Sequence, residues 1–300
     1  MGRAVWIFAV ALAGVAALRA PQQPPAAGAA GRYESPAGVK VMTFNIQHGI
    51  DGSQRYHLQT AIDTIAKINP DIVGLVELTR NHPAYNCDDQ PKLIADGVSQ
   101  ATGRRWTWVY HQQWFTKNKE CMDSGRGDAA ETEGLGFLAP EPLAPPTFVE
   151  LWNSGLGVAA RTSRLPNVPI AITHLAPQVV NAPSRVKQIA KLLPWLERLG
   201  TPRILLGDFN ASPDDPEMHP LRGGYHDAWP DAVAAGTARG RLDGVTHKAS
   251  RIDYILYVPG PRLELLWVDT VDTVPLVGKE ASDHRPLVAG FRIGGVPPRQ

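Results

Sequence analysis

Cysteine, charge of one sign and long apolar runs are all scarce in this 300-residue sequence. Its two cysteines cannot form a tetrathiolate zinc site. The 30 basic and 29 acidic side chains leave a formal charge of +1, so no overall field attracts a polyanion and any phosphate-binding surface must be local. In contrast, 43% hydrophobic residues exclude a disordered chain, and 28 glycines with 27 prolines indicate many turns. This composition predicts a layered fold rather than a helical bundle.

One apolar run stands out near the amino terminus, over residues 4–18. It is shorter than the roughly 20 residues of a membrane-spanning helix. A basic residue followed by about 15 apolar residues is typical of an export signal. A retained membrane anchor is one alternative, because the best cleavage position, near residues 27–29, is not a clear one, and a buried first helix is another. We predict an exported protein, periplasmic or extracellular, with a signal or anchor and a Pro/Ala/Gly linker over residues 1–36 and one folded domain over residues 37–295.

Export changes the interpretation of Cys87 and Cys121. In the cytosol they would be free thiols, whereas in an oxidising compartment they are a candidate disulfide. Both lie in the polar segment between Thr79 and Gly134. A bridge there would stabilise the domain by roughly 3–4 kcal/mol through loop closure.

The pattern from residue 39 onward predicts many strands and few helices, and strands do not strictly alternate with helices. This pattern favours stacked sheets with helices on the outside. Trp106, Trp108 and Tyr110 share one side of a strand, which favours core packing over a nucleic-acid face. On the last predicted helix, Val186 and Ile189 are expected to face inward, with a kink at Pro194. The predicted strands are 39–46, 71–78, 104–115, 134–138, 155–160, 168–173, 203–206, 251–258, 263–268 and 286–291, and the predicted helices are 58–68, 92–102 and 184–199.

Polar side chains gather at the ends of these strands. A buried carboxylate is costly unless it is paired or bound to a metal, so a whole set of them indicates an oxygen-rich cluster. Such a set suits phosphoryl chemistry, because Mg²⁺ prefers oxygen ligands, a carboxylate can activate water, and imidazoles can neutralise transition-state charge. The residues are Asn45, Glu77, His174, Asp208, Asn210, Asp253, Asp283 and His284.

Six short strings carry a resemblance to a known family. They follow one another in family order between residues 39 and 291, and together they are far more specific than any one of them. The sequence resembles the endonuclease/exonuclease/phosphatase superfamily of DNase I-like metal-dependent hydrolases. The strings are TFNIQHG (43–49), DIVGLVEL (71–78), THLAP (173–177), LLGDFNASP (205–213), RIDYIL (251–256) and SDHRPL (282–287).

The resemblance implies a four-layer α/β/β/α sandwich of two packed mixed sheets with outer helices, of class α+β. It also implies a metal site. Glu77 resembles the principal Mg²⁺ ligand, Asn45 lies near the metal or its water, and Asp283 lies beside the metal. Mn²⁺ or Ca²⁺ are possible substitutes. No organic cofactor is expected.

Five further residues resemble the family's catalytic positions. Asp208 resembles the residue that positions or activates the attacking water, and Asn210 the one that holds the phosphoryl oxygens. His174 resembles the phosphate-contacting histidine. His284 resembles the second catalytic histidine, supported by Asp253. We assign the other seven histidines to surface or packing positions; of these, His48 is the least certain, because it belongs to the first motif string.

Other classes of function fit less well. The strings GLGFLA (134–139) and GLGVAA (155–160) formally match a dinucleotide fingerprint, but neither follows a clear strand and opens a helix. The G-x-S-x-G elbow of serine hydrolases is absent from the sequence, as are the D-x-H and GNH motifs of calcineurin-type phosphatases. We therefore predict a Mg²⁺-dependent phosphoesterase that hydrolyses diesters, or else monoesters, by in-line attack of water. The alternative is a non-catalytic phosphate-ligand binding module that retains the fold.

The substrate stays open between a nucleic acid, a phospholipid head group and a small phosphoester. Residues 76–79 depart from the pattern of DNA-repair members, and with the export signal this argues against genome repair. We expect no obligate protein partner and a monomer. A nucleic acid would require local basic residues in the groove, for which the candidates are Arg104, Arg105, Lys117, Lys119 and Arg126.

Overall fold

The computed structural model describes residues 33–294. Of the segment over residues 1–36, predicted to hold an export signal or anchor and a linker, residues 1–32 lie outside the described residues. Among the helices of residues 33–294, none is long and apolar enough to cross a membrane.

Two mixed sheets form the centre of the domain. In the order of hydrogen-bonded neighbours, the larger sheet is β10-β12-β13-β1-β2-β4-β3 and the smaller is β5-β6-β7-β8-β11-β9. The strands are β1 (Val39–Asn45), β2 (Ile72–Arg80), β3 (Thr107–Phe115), β4 (Thr132–Ala139), β5 (Thr147–Glu150), β6 (Leu156–Ala160), β7 (Ile170–His174), β8 (Arg203–Asp208), β9 (His226–Asp227), β10 (Ala238–Gly240), β11 (Asp253–Val258), β12 (Leu263–Thr270) and β13 (Leu287–Ile293).

The three longest helices cover the outer faces of the two sheets. The helices are α1 (Leu58–Ile68), α2 (Gln90–Thr102), α3 (Glu120–Asp123), α4 (Ala182–Arg198), α5 (His219–Arg222), α6 (Ala228–Ala234) and α7 (Val274–Val277). Apolar side chains of α1 and α2 share a core with the outer face of the larger sheet, and those of α4 share one with the smaller sheet. A third core lies between the two sheets. This confirms the four-layer α/β/β/α sandwich.

The ends of α1 and α2 follow from their sequences. Asp89 caps α2 by accepting a hydrogen bond from the Lys92 N–H, and Gly103 ends the helix in the left-handed conformation. Asn69 ends α1 in the same conformation, and its N–H donates to the Ile65 carbonyl. Both helices therefore end at a residue suited to that position, and α2 also begins at one.

The inward face of α4 differs from the prediction. Val186 is 53% exposed, whereas Ile189 is buried, and the helix continues through Pro194 as a single element. Arg185 is buried instead, because its guanidinium pairs with Glu217 at 2.7 Å and donates to two carbonyls of the loop after β7. A polar side chain can thus occupy the inner face of a helix when its partners satisfy it there.

The predicted disulfide is present. Cys87 and Cys121 are bonded, with their Cα atoms 5.6 Å apart. The bridge joins the segment before α2 to α3. It therefore fixes the polar segment between β3 and β4 to the same end of the larger sheet at which β2 ends.

Candidate active site

The polar cluster arises from the alternation of side chains along four strands. Successive residues of a strand point to opposite faces, so every second residue of a sandwich strand points between the sheets. On β7, β8 and β11 these inward positions are apolar except at one end, where the side chain is polar, and on β1 both Thr43 and the end residue are polar. The apolar inward residues include Val39 and Val41, Ile170 and Ile172, Ile204 and Leu206, and Ile255 and Tyr257, and the polar ends are Asn45, His174, Asp208 and Asp253.

Glu77 reaches the same place through an irregularity in β2. The register of β2 against β4 shifts between Leu75 and Leu78, and Glu77 has a φ of 58°. Leu75 and Leu78 both pack into the core on the helix side, so the bulge has changed the alternation between them. As a result, the Glu77 carboxylate lies within hydrogen-bond distance of Asn45 on the neighbouring strand.

Asp208 is at the centre of the cluster. The Asn45 amide donates to Glu77 Oε1 at 2.9 Å and to Asp208 Oδ2 at 3.1 Å. The same Asp208 oxygen lies 3.9 Å from His174 Nε2 and 3.8 Å from His284 Nε2. One carboxylate oxygen is therefore surrounded by an amide and two imidazoles.

His284 is held as a cation by the carboxylates around it. Its Nδ1 lies 2.7 Å from Asp253 Oδ2 in a buried hydrogen bond. Burial would lower the pKa of His284, but Asp253 and then Asp208 outweigh it and raise the pKa to about 10. Asp253 is fixed in turn, because its N–H donates to the Thr246 hydroxyl at 3.1 Å.

The pKa values of the two central carboxyl groups, Asp208 and Glu77, shift in opposite directions. Burial and the charge of Asp253 raise the pKa of Asp208 to about 6, although His284 and His174 oppose this. Burial would also raise the pKa of Glu77, but His174 and the other neighbours of its carboxylate outweigh it and lower the pKa. Glu77 is thus charged at neutral pH. The raised pKa of Asp208 brings its proton exchange close to neutral pH.

Asn210 and Asp283 occupy flanking positions. The Asn210 N–H donates to Asp208 Oδ1 at 2.8 Å, and its amide donates to the Leu175 carbonyl at 3.0 Å. Asp283 Oδ2 lies 3.4 Å from Nε2 of His247, whose ring stacks on His284 at 4.3 Å. Among residues 33–294, potential ligand atoms of Asp283 group with those of His247 and His284, whereas those of Glu77 group with His174 and Asp208.

Sequence reasoning missed several residues of the site. His48 was assigned to surface or packing, but its Nε2 lies 3.3 Å from Glu77 Oε2. Burial lowers the pKa of His48 despite this carboxylate. Gln113 donates to the His174 carbonyl at 3.3 Å, and burial with the charge of Glu77 raises the pKa of Glu133 to about 8. Only His48 carried a signal, its place in the first motif string.

The donor set fits a divalent cation. Ligand atoms of Glu77, His174 and Asp208 lie within 4.8 Å of one another, which brings two carboxylates and an imidazole together. Asn45 uses its amide nitrogen on both carboxylates, while its oxygen accepts from the Gln47 N–H at 2.9 Å. In this arrangement Asn45 fixes the ligands in place.

The candidate basic residues divide between two ends of β3. Arg104 and Arg105 precede the strand, where Arg104 donates to Asn69 at 3.1 Å. The opposite end of β3 carries Gln113, which contacts the carbonyl of His174. Lys117 and Lys119 follow that end, as does Arg126. Arg104 and Arg105 therefore lie away from the polar cluster.

Comparison with known proteins identifies the family. Residues 42–284 match the model of the Endonuclease/Exonuclease/phosphatase family. The chain belongs to this family. Its members are hydrolases of phosphoester bonds that generally depend on a divalent metal, so the chain is a hydrolase acting on phosphoric ester bonds. No curated protein matches the sequence.

Solved structures share the fold at low identity. An endonuclease/exonuclease/phosphatase from Beutenbergia cavernae is 20% identical with a TM-score of 0.65, covering 87% of this chain and 73% of its own. The human Nocturnin catalytic domain is 20% identical with a TM-score of 0.61, covering 85% and 94%. A mannosyl-6-phosphatase from Bacteroides thetaiotaomicron is 14% identical with a TM-score of 0.56, covering 84% and 99%. At these identities the likeness shows the fold alone.

Proposed function

We propose that this family member is a Mg²⁺-dependent phosphodiesterase in which water attacks phosphorus in line with the leaving group. The observation that carries the proposal is the arrangement around Asp208, whose Oδ2 is approached by Asn45, His174 and His284 beside the charged Glu77. Two carboxylates with two imidazoles match the needs of phosphoryl transfer, which are positioning and charge stabilisation.

Glu77 is the proposed principal ligand of the metal, with Asn45 and Asp208 beside it and Asp283 farther out next to His247. When bound, Mg²⁺ would polarise a phosphoryl oxygen and stabilise the leaving group. Mn²⁺ or Ca²⁺ are the proposed substitutes, because they also accept carboxylate oxygen ligands.

The side chains supply the remaining chemistry. Asp208, whose pKa is raised to about 6, accepts the proton of the attacking water. His284, held cationic by Asp253, and His174 on the other side of Asp208 stabilise negative charge on the phosphoryl oxygens. The Asn210 N–H donates to Asp208 and holds its carboxylate in place. The side-chain amide of Asn210 donates to the Leu175 carbonyl.

Export is part of the proposal. It is supported by the basic start and apolar run over residues 4–18 and by the Cys87–Cys121 bridge, which an oxidising compartment would preserve. We propose a folded catalytic domain over residues 37–295 that acts as a monomer. Its substrate is a nucleic acid, a phospholipid head group or a small phosphoester.

A panel of three substrates tests the proposal. Residues 31–300 are assayed on a chromogenic phosphodiester, a phosphomonoester and plasmid DNA, with Mg²⁺ and with excess chelator, beside Asp208→Asn. We expect chelator-sensitive hydrolysis of the diester that is lost in the variant. Faster hydrolysis of the monoester would replace the phosphodiesterase with a phosphatase. Phosphate-ester binding without turnover on any substrate would favour the non-catalytic binding module.

A further inference from the structure

The turn after β1 has an unusual backbone. Three successive residues, Gln47, His48 and Gly49, have φ values of 47°, 55° and 81°. For residues other than glycine this left-handed region costs on the order of 1–3 kcal/mol each, and it persists only where neighbouring groups enforce it. The strain at Gln47 and His48 therefore calls for a structural or functional reason.

Buried hydrogen bonds enforce this turn from both sides. The Asn45 oxygen accepts from the Gln47 N–H at 2.9 Å. Gln90, which is fully buried, donates to the His48 carbonyl at 2.7 Å and accepts from the Thr79 N–H at 2.8 Å. The turn is thus tied to α2 and to the part of β2 just after Glu77.

The consequence of the turn is the place of the His48 ring. Its Nε2 lies 3.3 Å from Glu77 Oε2, while the Asn45 amide holds the other oxygen, Oε1, at 2.9 Å. Its Nδ1 faces Glu133 Oε2 at 3.7 Å, and its face stacks on Tyr85 with the ring centres 5.3 Å apart. Each oxygen of Glu77 therefore has one polar neighbour, and the His48 ring lies between Glu77, Glu133 and the ring of Tyr85.

We infer that His48 is a positioning residue for the metal ligand Glu77, and this inference rests on the proposed function. By fixing Oε2 opposite the Asn45 amide, His48 restricts rotation of the carboxylate, so its oxygens face the cation site before the ion arrives. Partners of this kind typically change metal affinity 10–100-fold when they are removed. The strain in the turn is the cost of placing the ring there.

His82 provides a matched control. Its ring also contacts Tyr85, with the centres 4.4 Å apart, and its Nε2 lies 3.3 Å from Glu131 Oε1. His82 thus shares the aromatic partner and the carboxylate distance of His48, but its carboxylate is Glu131 rather than Glu77.

The test measures Mn²⁺ binding through the electron paramagnetic resonance signal of the free ion, which needs no turnover. His48→Phe keeps an aromatic ring for Tyr85 and removes both nitrogens. We expect it to weaken Mn²⁺ binding about 10–100-fold, with a smaller loss in His48→Gln, whose amide can still donate to Glu77. His82→Phe should stay within about twofold of the wild type. If His48→Phe fails to fold, as judged by near-ultraviolet circular dichroism, His48→Gln beside His82→Gln carries the test.

The outcomes separate this inference from the proposed function. Unchanged Mn²⁺ binding in the His48 variants, with binding lost in Glu77→Gln, would overturn the positioning role and leave the metal assignment standing. Equal losses in the His48 and His82 variants would also overturn it, because the effect would then come from packing around Tyr85. Unchanged binding in Glu77→Gln would remove the ligand assignment and the inference with it.

Discussion

The charge of His284 depends on its hydrogen bond to Asp253, which also fixes which nitrogen faces Asp208. His284→Gln can still donate to Asp253 but carries no charge. We expect kcat to fall about 10²–10⁴-fold while the domain stays folded. Steady-state kinetics beside thermal unfolding measure both effects, with the exposed His219→Gln on α5 as the control. Turnover near that of the wild type would remove His284 from the catalytic residues.

A second residue-scale prediction concerns Asp51, a buried carboxylate in the loop between β1 and α1. It accepts hydrogen bonds from Lys279 at 2.8 Å and from the Ser53 N–H at 2.9 Å. Burial would raise its pKa, but these bonds outweigh burial and lower the pKa. A carboxyl group whose pKa is lowered by folding stabilises the folded state at pH values above its unfolded-state pKa. That contribution is lost as the pH falls toward the folded-state pKa.

Asp51→Asn should therefore lower the free energy of unfolding by about 1–3 kcal/mol at pH 7. The difference from the wild type should shrink as the pH falls from about 5 to about 2, because the unfolded wild-type chain then takes up a proton at Asp51 while the lowered pKa keeps the folded carboxylate charged. Urea unfolding over a pH series measures it, with the exposed Asp214→Asn as the control. A difference that is the same at every pH would show that charge is not the cause.

How far single residues could be predicted depends on whether their place follows from local pattern. Asn45 and Asp208 continue the inward alternation of their strands, so the sequence places them together once two sheets are assumed. His48 could not be found this way, since its contact with Glu77 needs a turn of positive φ and a bulge in β2. Those features depend on buried partners such as Gln90, which lies in a different element.

At the scale of elements, three neighbouring strands of the smaller sheet, β7, β8 and β11, meet at Gly207. Gly207 pairs with Thr173 of β7 and Tyr254 of β11, and its φ is 133°. A Cβ atom there would lie 1.9 Å from the Thr173 carbonyl oxygen, which is part of the backbone and cannot move alone. The close approach of β7 to β8 sets the distance between His174 and Asp208, the next residue of each strand.

Gly207→Ala should therefore lower the free energy of unfolding by at least about 2 kcal/mol and reduce turnover by separating those two side chains. Gly224→Ala is the matched control, because its Cβ would meet no atom within 4 Å. Thermal unfolding and kcat of both variants provide the measurement. A Gly207→Ala protein as stable as Gly224→Ala would show that β7 and β8 can separate at no cost.

The elements themselves were predictable to different degrees. Long segments with clear periodicity, such as α1 and β2, agree with the prediction within two residues at each end. The sequence analysis missed the short elements, which have two to seven residues: the strands β5, β9 and β10 and the helices α3, α5, α6 and α7. A segment this short completes too few periods to differ from a loop, and its pairing depends on neighbours that are distant in sequence.

At the scale of the whole molecule, the candidate site joins the two sheets. Asn45 and Glu77 belong to the larger sheet, whereas His174, Asp208 and Asp253 belong to the smaller. The Asn45 amide donates to Glu77 of the larger sheet and to Asp208 of the smaller sheet, so the two carboxylates lie close together across the space between the sheets. A cation between Glu77 and Asp208 would attract both carboxylates and so link the two sheets.

Mg²⁺ should therefore stabilise the whole domain in a single unfolding transition. At a free concentration of 100 times the dissociation constant, we expect about 2.7 kcal/mol of added stability, which excess chelator removes. Differential scanning calorimetry with Mg²⁺ and with chelator measures the shift in Tm. Glu77→Gln should abolish the shift, whereas the exposed Asp214→Asn should retain it. A full shift in Glu77→Gln would mean that the stabilising cation binds elsewhere, and the link between the two sheets would then need another ligand set.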